Sequence, residues 1–128
     1  LGTKTRHHQL NALYQMVREC QRPCIVAGDF NMLWDEKEIE IFLAATGLRN
    51  ANRQQLPTYP SNKPYRHLDF VLYSKGIRVR NFQVPKVLYS DHLPVLVDFD
   101  VEVKVDQRSE KRETHCSCQE RIERLFAA

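Results

Sequence analysis

The chain has 128 residues, of which 42% are hydrophobic and 27% charged, and its formal net charge is +3. That is one domain's worth of polypeptide, or part of a larger domain, and the balance excludes wholesale disorder. No apolar run approaches the roughly 20 residues that a membrane-spanning helix needs, and the mild positive charge admits a polyanionic substrate without demanding one.

No secretory signal is visible, but the first residue is Leu1 rather than Met, so the chain is expected to begin inside a longer reading frame. Four cysteines, Cys20, Cys24, Cys116 and Cys118, do not make a small disulfide scaffold. A reducing compartment, the cytoplasm, is the simpler expectation.

In chain order, Thr5 to Cys20 reads as a helix. Leu10, Leu13, Val17 and Cys20 recur at steps of three and four and build one apolar face. Thr3 or Thr5 is a suitable N-cap. His7 and His8 are adjacent, so on a helix they diverge by about 100° and do not converge on one metal; they read as surface residues. Cys20 and Cys24 bracket the helix end and read as small core hydrophobes.

Ile25-Val26-Ala27-Gly28 follows as a short apolar run behind Pro23 and predicts a buried strand. It ends in Asp29-Phe30-Asn31. Alternate side chains share a face on an extended backbone, so Asp29 and Asn31 can leave the strand end together. Ligands gather at such ends in helix-flanked sheets, but both residue types are also ordinary turn formers.

After Trp34, Asp35 is a candidate cap for a second helix carrying Ile39, Phe42 and Leu43, with Gly47 as its stop. Arg49 to Leu56 reads as polar and irregular. Thr58 to Arg66 reads as a loop with two prolines, Pro60 and Pro64, and its tyrosines and cations suit stacking and phosphate contact. An ordinary polar surface loop has the same composition.

Leu68 to Tyr73 reads as a strand and Ser74-Lys75-Gly76 as a turn. A second extended stretch runs from Ile77 to Pro85. After Ser90-Asp91-His92-Leu93-Pro94 the alternation is clean: Val95, Val97, Phe99, Val101 and Val103 against Asp98, Asp100, Glu102 and Lys104. That predicts a half-buried strand with one wet face. Residues 104–128 read as a charged linker or tail, with a short helix over Gln119 to Phe126. His115, Cys116 and Cys118 fall one ligand short of an ordinary structural zinc site.

Three segments place acids or imidazole beside an apolar strand. Asp69 lies within an otherwise apolar run and needs a partner, because burying a lone carboxylate is costly. His92 is the natural one. A carboxylate on one ring nitrogen fixes the tautomer and leaves the other nitrogen as a base. Asp29 and Asp91 are hard oxygen donors suited to magnesium. A metal, a base and amide donors are the parts of water-driven phosphoester cleavage.

The ordered set Gly28-Asp29-Phe30-Asn31, Leu68-Asp69-Phe70-Val71-Leu72 and Ser90-Asp91-His92-Leu93-Pro94-Val95 closely resembles the endonuclease/exonuclease/phosphatase family, typified by DNase I. The resemblance covers residues 1–103 and leaves out the 104–128 tail. It implies an α/β fold, an α+β two-sheet sandwich with helices outside. It further implies a metal-dependent phosphoesterase using Mg2+ or Mn2+. In that reading Asp29 positions the water and reaches the metal, and Asn31 holds the transition-state phosphate. Asp69 orients His92, His92 acts as base, and Asp91 sits at the metal. Tyr59 and Arg66 are the candidate substrate contacts. The substrate is a phosphoester, with DNA, RNA, inositol phosphates, sphingomyelin and small phosphodiesters all admitted.

Upstream family motifs, an asparagine and a metal-binding glutamate, have no match here. The expected domain is therefore incomplete, with its N-terminal strands missing and its activity impaired. The competing reading is a catalytically inactive binding module on the same fold.

Overall fold

The computed structural model describes residues 3–31 and 36–102. The expected Asp35 cap, Val103, the cysteine-histidine cluster at 115–118 and the helix at 119–126 lie outside the described residues.

The elements are α1 (Thr3–Glu19), β1 (Ile25–Asp29), α2 (Glu36–Thr46), β2 (Arg49–Asn50), β3 (Asp69–Tyr73), β4 (Ile77–Gln83) and β5 (Leu96–Val101). They form two antiparallel sheets, one ordered β1-β3-β2 and the other β4-β5. This is the mixed helix-and-sheet class that the sequence predicts.

The apolar face of α1 does what its spacing requires. Leu10, Leu13, Tyr14 and Val17 pack on the buried cluster of Phe42, Leu48 and Leu72, together with Val26, Phe30, Leu43 and Phe70. Both helices thus contribute to one core, whose centre is Leu72 on the middle strand, fully inaccessible to solvent. Helix α2 ends as Gly47 predicts: this residue takes a φ of +71°, and its N–H donates to the Leu43 carbonyl at 2.9 Å. At Gly76, φ is +91° and an added Cβ would stand 3.0 Å from the Pro23 ring. The β3–β4 turn is therefore reserved for glycine.

Several expectations need correction. The strand at Ile25 is not buried along its length: Ala27, Gly28 and Asp29 are exposed. β1 is an outer strand of its sheet, bonded only to β3 among the described residues. Asp69 is not inside its strand but opens it. The stretch from Arg49 is not wholly irregular, since Arg49 and Asn50 pair with Tyr73 and Leu72. The buried Asn52 then organises the turn beyond, donating to the Leu56 carbonyl and accepting from its N–H. Finally, β5 is extended as its alternation demands, yet Phe99 is 44% and Val101 49% exposed. Alternation fixes which side chains share a face; it does not supply the layer that covers them.

Candidate active site

The antiparallel register sets Asp29 directly opposite Asp69. Residues facing each other across such a pair point to the same side of the sheet, and two like charges there repel. The sequence tolerates this because a third segment brings an imidazole. His92 Nδ1 lies 2.8 Å from Asp69 Oδ2, and His92 Nε2 lies 3.9 Å from Asp29 Oδ2. A carboxylate only accepts, so Nδ1 carries the proton and donates it to Asp69. In the neutral ring, Nε2 is then the free lone pair, facing Asp29 across a gap too long for a hydrogen bond.

The surroundings push the His92 pKa up. The leading cause is the hydrogen bond to Asp69; partial burial opposes it, and the charges of Asp69, Asp29 and Asp91 reinforce it. The Tyr59 ring packs against the imidazole, with centroids 4.9 Å apart and planes tilted by 48°. His92 is thus gripped at one edge by Asp69 and on one face by Tyr59.

Thr58 holds these segments in place. It is fully buried. Its Oγ1 accepts from the N–H groups of Leu68 at 3.3 Å and Asp69 at 3.4 Å, and its carbonyl accepts from Leu93 N–H at 2.7 Å. One residue therefore ties the start of β3 to the segment carrying His92. Ser61 adds a second tie, its N–H donating to the Asp91 carbonyl at 2.7 Å and its hydroxyl to the Ser90 carbonyl. The sequence offers little signal for either role: a small hydroxyl residue in a proline-rich loop looks like any turn former.

Asn31 occupies the left-handed region at φ +40°, which asparagine tolerates better than most residues. Its backbone N–H donates to Asp29 Oδ1 at 2.7 Å. This Asx turn fixes the Asp29 carboxylate and leaves Oδ2 toward His92. Phe30, beneath, packs edge-on against Phe70 at 5.4 Å, which keeps the β1 end on β3.

Of the residues singled out by sequence, Asp29, Asp69 and His92 form one group whose ligand atoms lie within 4.8 Å of one another. Asn31 is joined to it through Asp29, and Tyr59 through His92. Asp91 stands beside the group: its carboxylate accepts from the Ser90 hydroxyl at 3.2 Å, and its charge reaches His92. Arg66 is set back, with its backbone bridged to Tyr59 and its guanidinium 5.1 Å over the Tyr65 ring.

The donor set suits a hard divalent cation. Three carboxylates act on one imidazole that carries at most one positive charge, and magnesium binds through one or two carboxylates plus water. Asp69 is engaged by His92, while Asp29 and Asp91 are exposed.

Comparison with known proteins bears on this arrangement. The sequence model of the family described as Endonuclease/Exonuclease/phosphatase family matches residues 2–92. A UPF0294 protein of Vibrio parahaemolyticus is 34% identical over 103 residues, which cover 77% of this chain and 35% of that protein. A UPF0294 protein of Erwinia tasmaniensis is 33% identical over 105 residues, covering 79% and 37%. The chain thus spans about a third of the length of the curated relatives it matches. Among solved structures, a Bacteroides vulgatus endonuclease/exonuclease/phosphatase superposes with a TM-score of 0.64 at 21% identity, covering 80% of this chain and 46% of the other. The Bacteroides thetaiotaomicron mannosyl-6-phosphatase gives 0.62 at 20% identity, covering 78% and 47%. At that identity the likeness establishes the fold, and it is a partial one.

Proposed function

This chain belongs to the endonuclease/exonuclease/phosphatase family, and from that premise we propose that it carries the catalytic acid–base machinery of a divalent-metal-dependent phosphoesterase. The observation that supports this most is the line of groups Asp69, His92 and Asp29, at 2.8 Å on one side of the imidazole and 3.9 Å on the other.

The chemistry follows from the atoms. Asp69 holds the Nδ1 proton, so Nε2 is presented as the base. A water hydrogen-bonded to both Nε2 and Asp29 Oδ2 is oriented by two acceptors and loses a proton to Nε2 as its oxygen bonds to phosphorus; the ester P–O bond opposite breaks, and the departing oxygen takes up a proton from solvent. Asp69 stabilises the imidazolium that forms. The Asn31 carboxamide, one residue past the Asx turn, is the donor for a phosphate oxygen. Asp29 and Asp91 would hold the magnesium or manganese ion, which when bound screens the charge developing on the phosphate. Tyr59 keeps the imidazole in plane, and Arg66 is the candidate cation for the remainder of a phosphorylated substrate.

The test is hydrolysis of a phosphomonoester and phosphodiester panel, with magnesium or with chelator, comparing the native chain and His92→Ala. A positioned base contributes about 10²–10⁴-fold, and the variant should lose that much; because its bond to Asp69 is lost as well, the two proteins are compared at a temperature where both are folded by circular dichroism. Measurable turnover by the native chain that His92→Ala retains in full would remove His92 from the mechanism and the proposal with it.

A further inference from the structure

Far from His92, a groove of about 440 Å³ opens between β4 and the segment beginning at β2. Six consecutive residues of β4, Ile77 to Phe82, line one wall, and Arg49, Ala51, Arg53 and Gln54 line the other, with Tyr73 between them. A wall of consecutive residues runs along a strand's edge rather than over one face. β4 pairs with β5.

The lining is strongly basic. It holds Arg49, Arg53, Arg78 and Arg80 against one carboxylate, Glu102. Two of the arginines are committed: Arg80 Nε to Asp100, and Arg53 Nη2 to the Tyr73 hydroxyl at 3.4 Å. Among the described residues, Arg49 and Arg78 are exposed and make no ion pair, although Arg78 stands opposite Asp100, the carboxylate that Arg80 engages. A concave site focuses such charge, and guanidinium groups bind phosphate oxygens through paired donors.

The groove is a separate feature from the catalytic cluster. Asp69 opens β3 and Tyr73 closes it, a span of about 13 Å at about 3.3 Å per residue. The β4 wall is about 17 Å long on the same rise, longer than a single phosphate. Tyr73 is buried and Phe82 is half-buried in the same wall, so the exposed arginines are what the groove offers a ligand first.

We propose that this groove is an anion-binding site for linked phosphates, recognised through Arg49 and Arg78 with Asn81 and Gln54 beside them, and without reading bases. Such phosphates reach a protein as a nucleic-acid backbone or as a free oligophosphate, and binding at the groove does not depend on hydrolysis at His92.

The experiment measures fluorescence anisotropy of a labelled oligothymidylate on the full chain, at low salt and with chelator present. The Arg49→Ala/Arg78→Ala protein should bind about tenfold more weakly or worse. Its dependence of log affinity on log salt should flatten by about 0.7 per arginine removed. The Arg18→Ala/Lys37→Ala protein, with the same charge loss placed on the helices, should bind as the native chain does. Arg78→Gln alone, a milder change, should lose part of the affinity if the double variant melts early. Inorganic tripolyphosphate serves as the second probe. Displacement of a bound oligonucleotide by it places both probes on the same cations, whereas tripolyphosphate binding that is lost in the groove variant while the oligonucleotide does not bind assigns the site to free oligophosphate. Undiminished binding of both probes by both groove variants, equal loss in the helix control, or no binding of either probe to the native chain would overturn the proposal.

Discussion

Replacing Asp69 by asparagine isolates the charge on which His92 depends. The side chain keeps its shape and still presents an oxygen to Nδ1–H, now 2.8 Å away, but the negative charge is gone. A hydrogen bond to a charged group is worth about 1.5–3 kcal/mol, and His92 is largely shielded, with 27% of its side chain exposed. The Asp69 bond is the leading cause of the raised His92 pKa, so in Asp69→Asn that pKa should fall back toward the ordinary histidine value. The sign for stability follows. A raised folded-state pKa contributes stability that is complete below the unfolded pKa and disappears as pH rises through the folded one. The native chain should therefore exceed Asp69→Asn in stability by about 1–3 kcal/mol in acid, with the gap narrowing above the native His92 pKa. For turnover, the imidazolium formed in the reaction loses its counter-charge, and the rate should fall about 10²–10⁴-fold. The assays are an NMR titration of the His92 ring, urea melts at two pH values and phosphoester hydrolysis. An unmoved His92 titration together with turnover within about threefold of native would refute the reasoning, because the bond seen in the fold would then carry no charge coupling.

Three further outcomes are expected. In chelator, the His92 ring should titrate above the ordinary histidine value, held up by Asp69; an NMR titration at or below that value would contradict the pairing. Thr58→Val keeps the volume but leaves the Leu68 and Asp69 N–H groups without their Oγ1 acceptor; it should cost about 1–3 kcal/mol in denaturant melts and lower turnover by shifting Asp69, with calorimetry and kinetics as readouts. Leu72→Ala, at the fully buried centre of the core, should cost about 2–5 kcal/mol; a loss below 1 kcal/mol in the same melts would show that the helices do not rest on β3.

Much of this architecture is legible in local pattern. The step of three and four from Leu10 to Val17 produces α1 and the face it buries. Gly47 and Gly76 stop their elements at backbone angles other residues resist. The alternation from Val95 onward produces an extended β5. Asp69 and His92 are likewise paired on chemistry alone, because a carboxylate among apolar residues demands a proton donor. Periodicity and desolvation act at the level of a turn, a strand or a single group, and they are written where those residues stand.

Tertiary structure decided what depends on distant partners. The facing of Asp29 and Asp69 follows from an antiparallel register that neither strand specifies by itself. Thr58 becomes a clamp only because Leu68, Asp69 and Leu93 arrive around it. Phe99 and Val101 alternate as core residues and yet stay exposed, since burial belongs to the covering layer and not to the strand. Arg49 and Arg78 are ordinary surface cations until β2 and β4 set them across one groove. Hydrophobic period is a property of neighbours in the chain, whereas register, burial and convergence of charge are properties of neighbours in space.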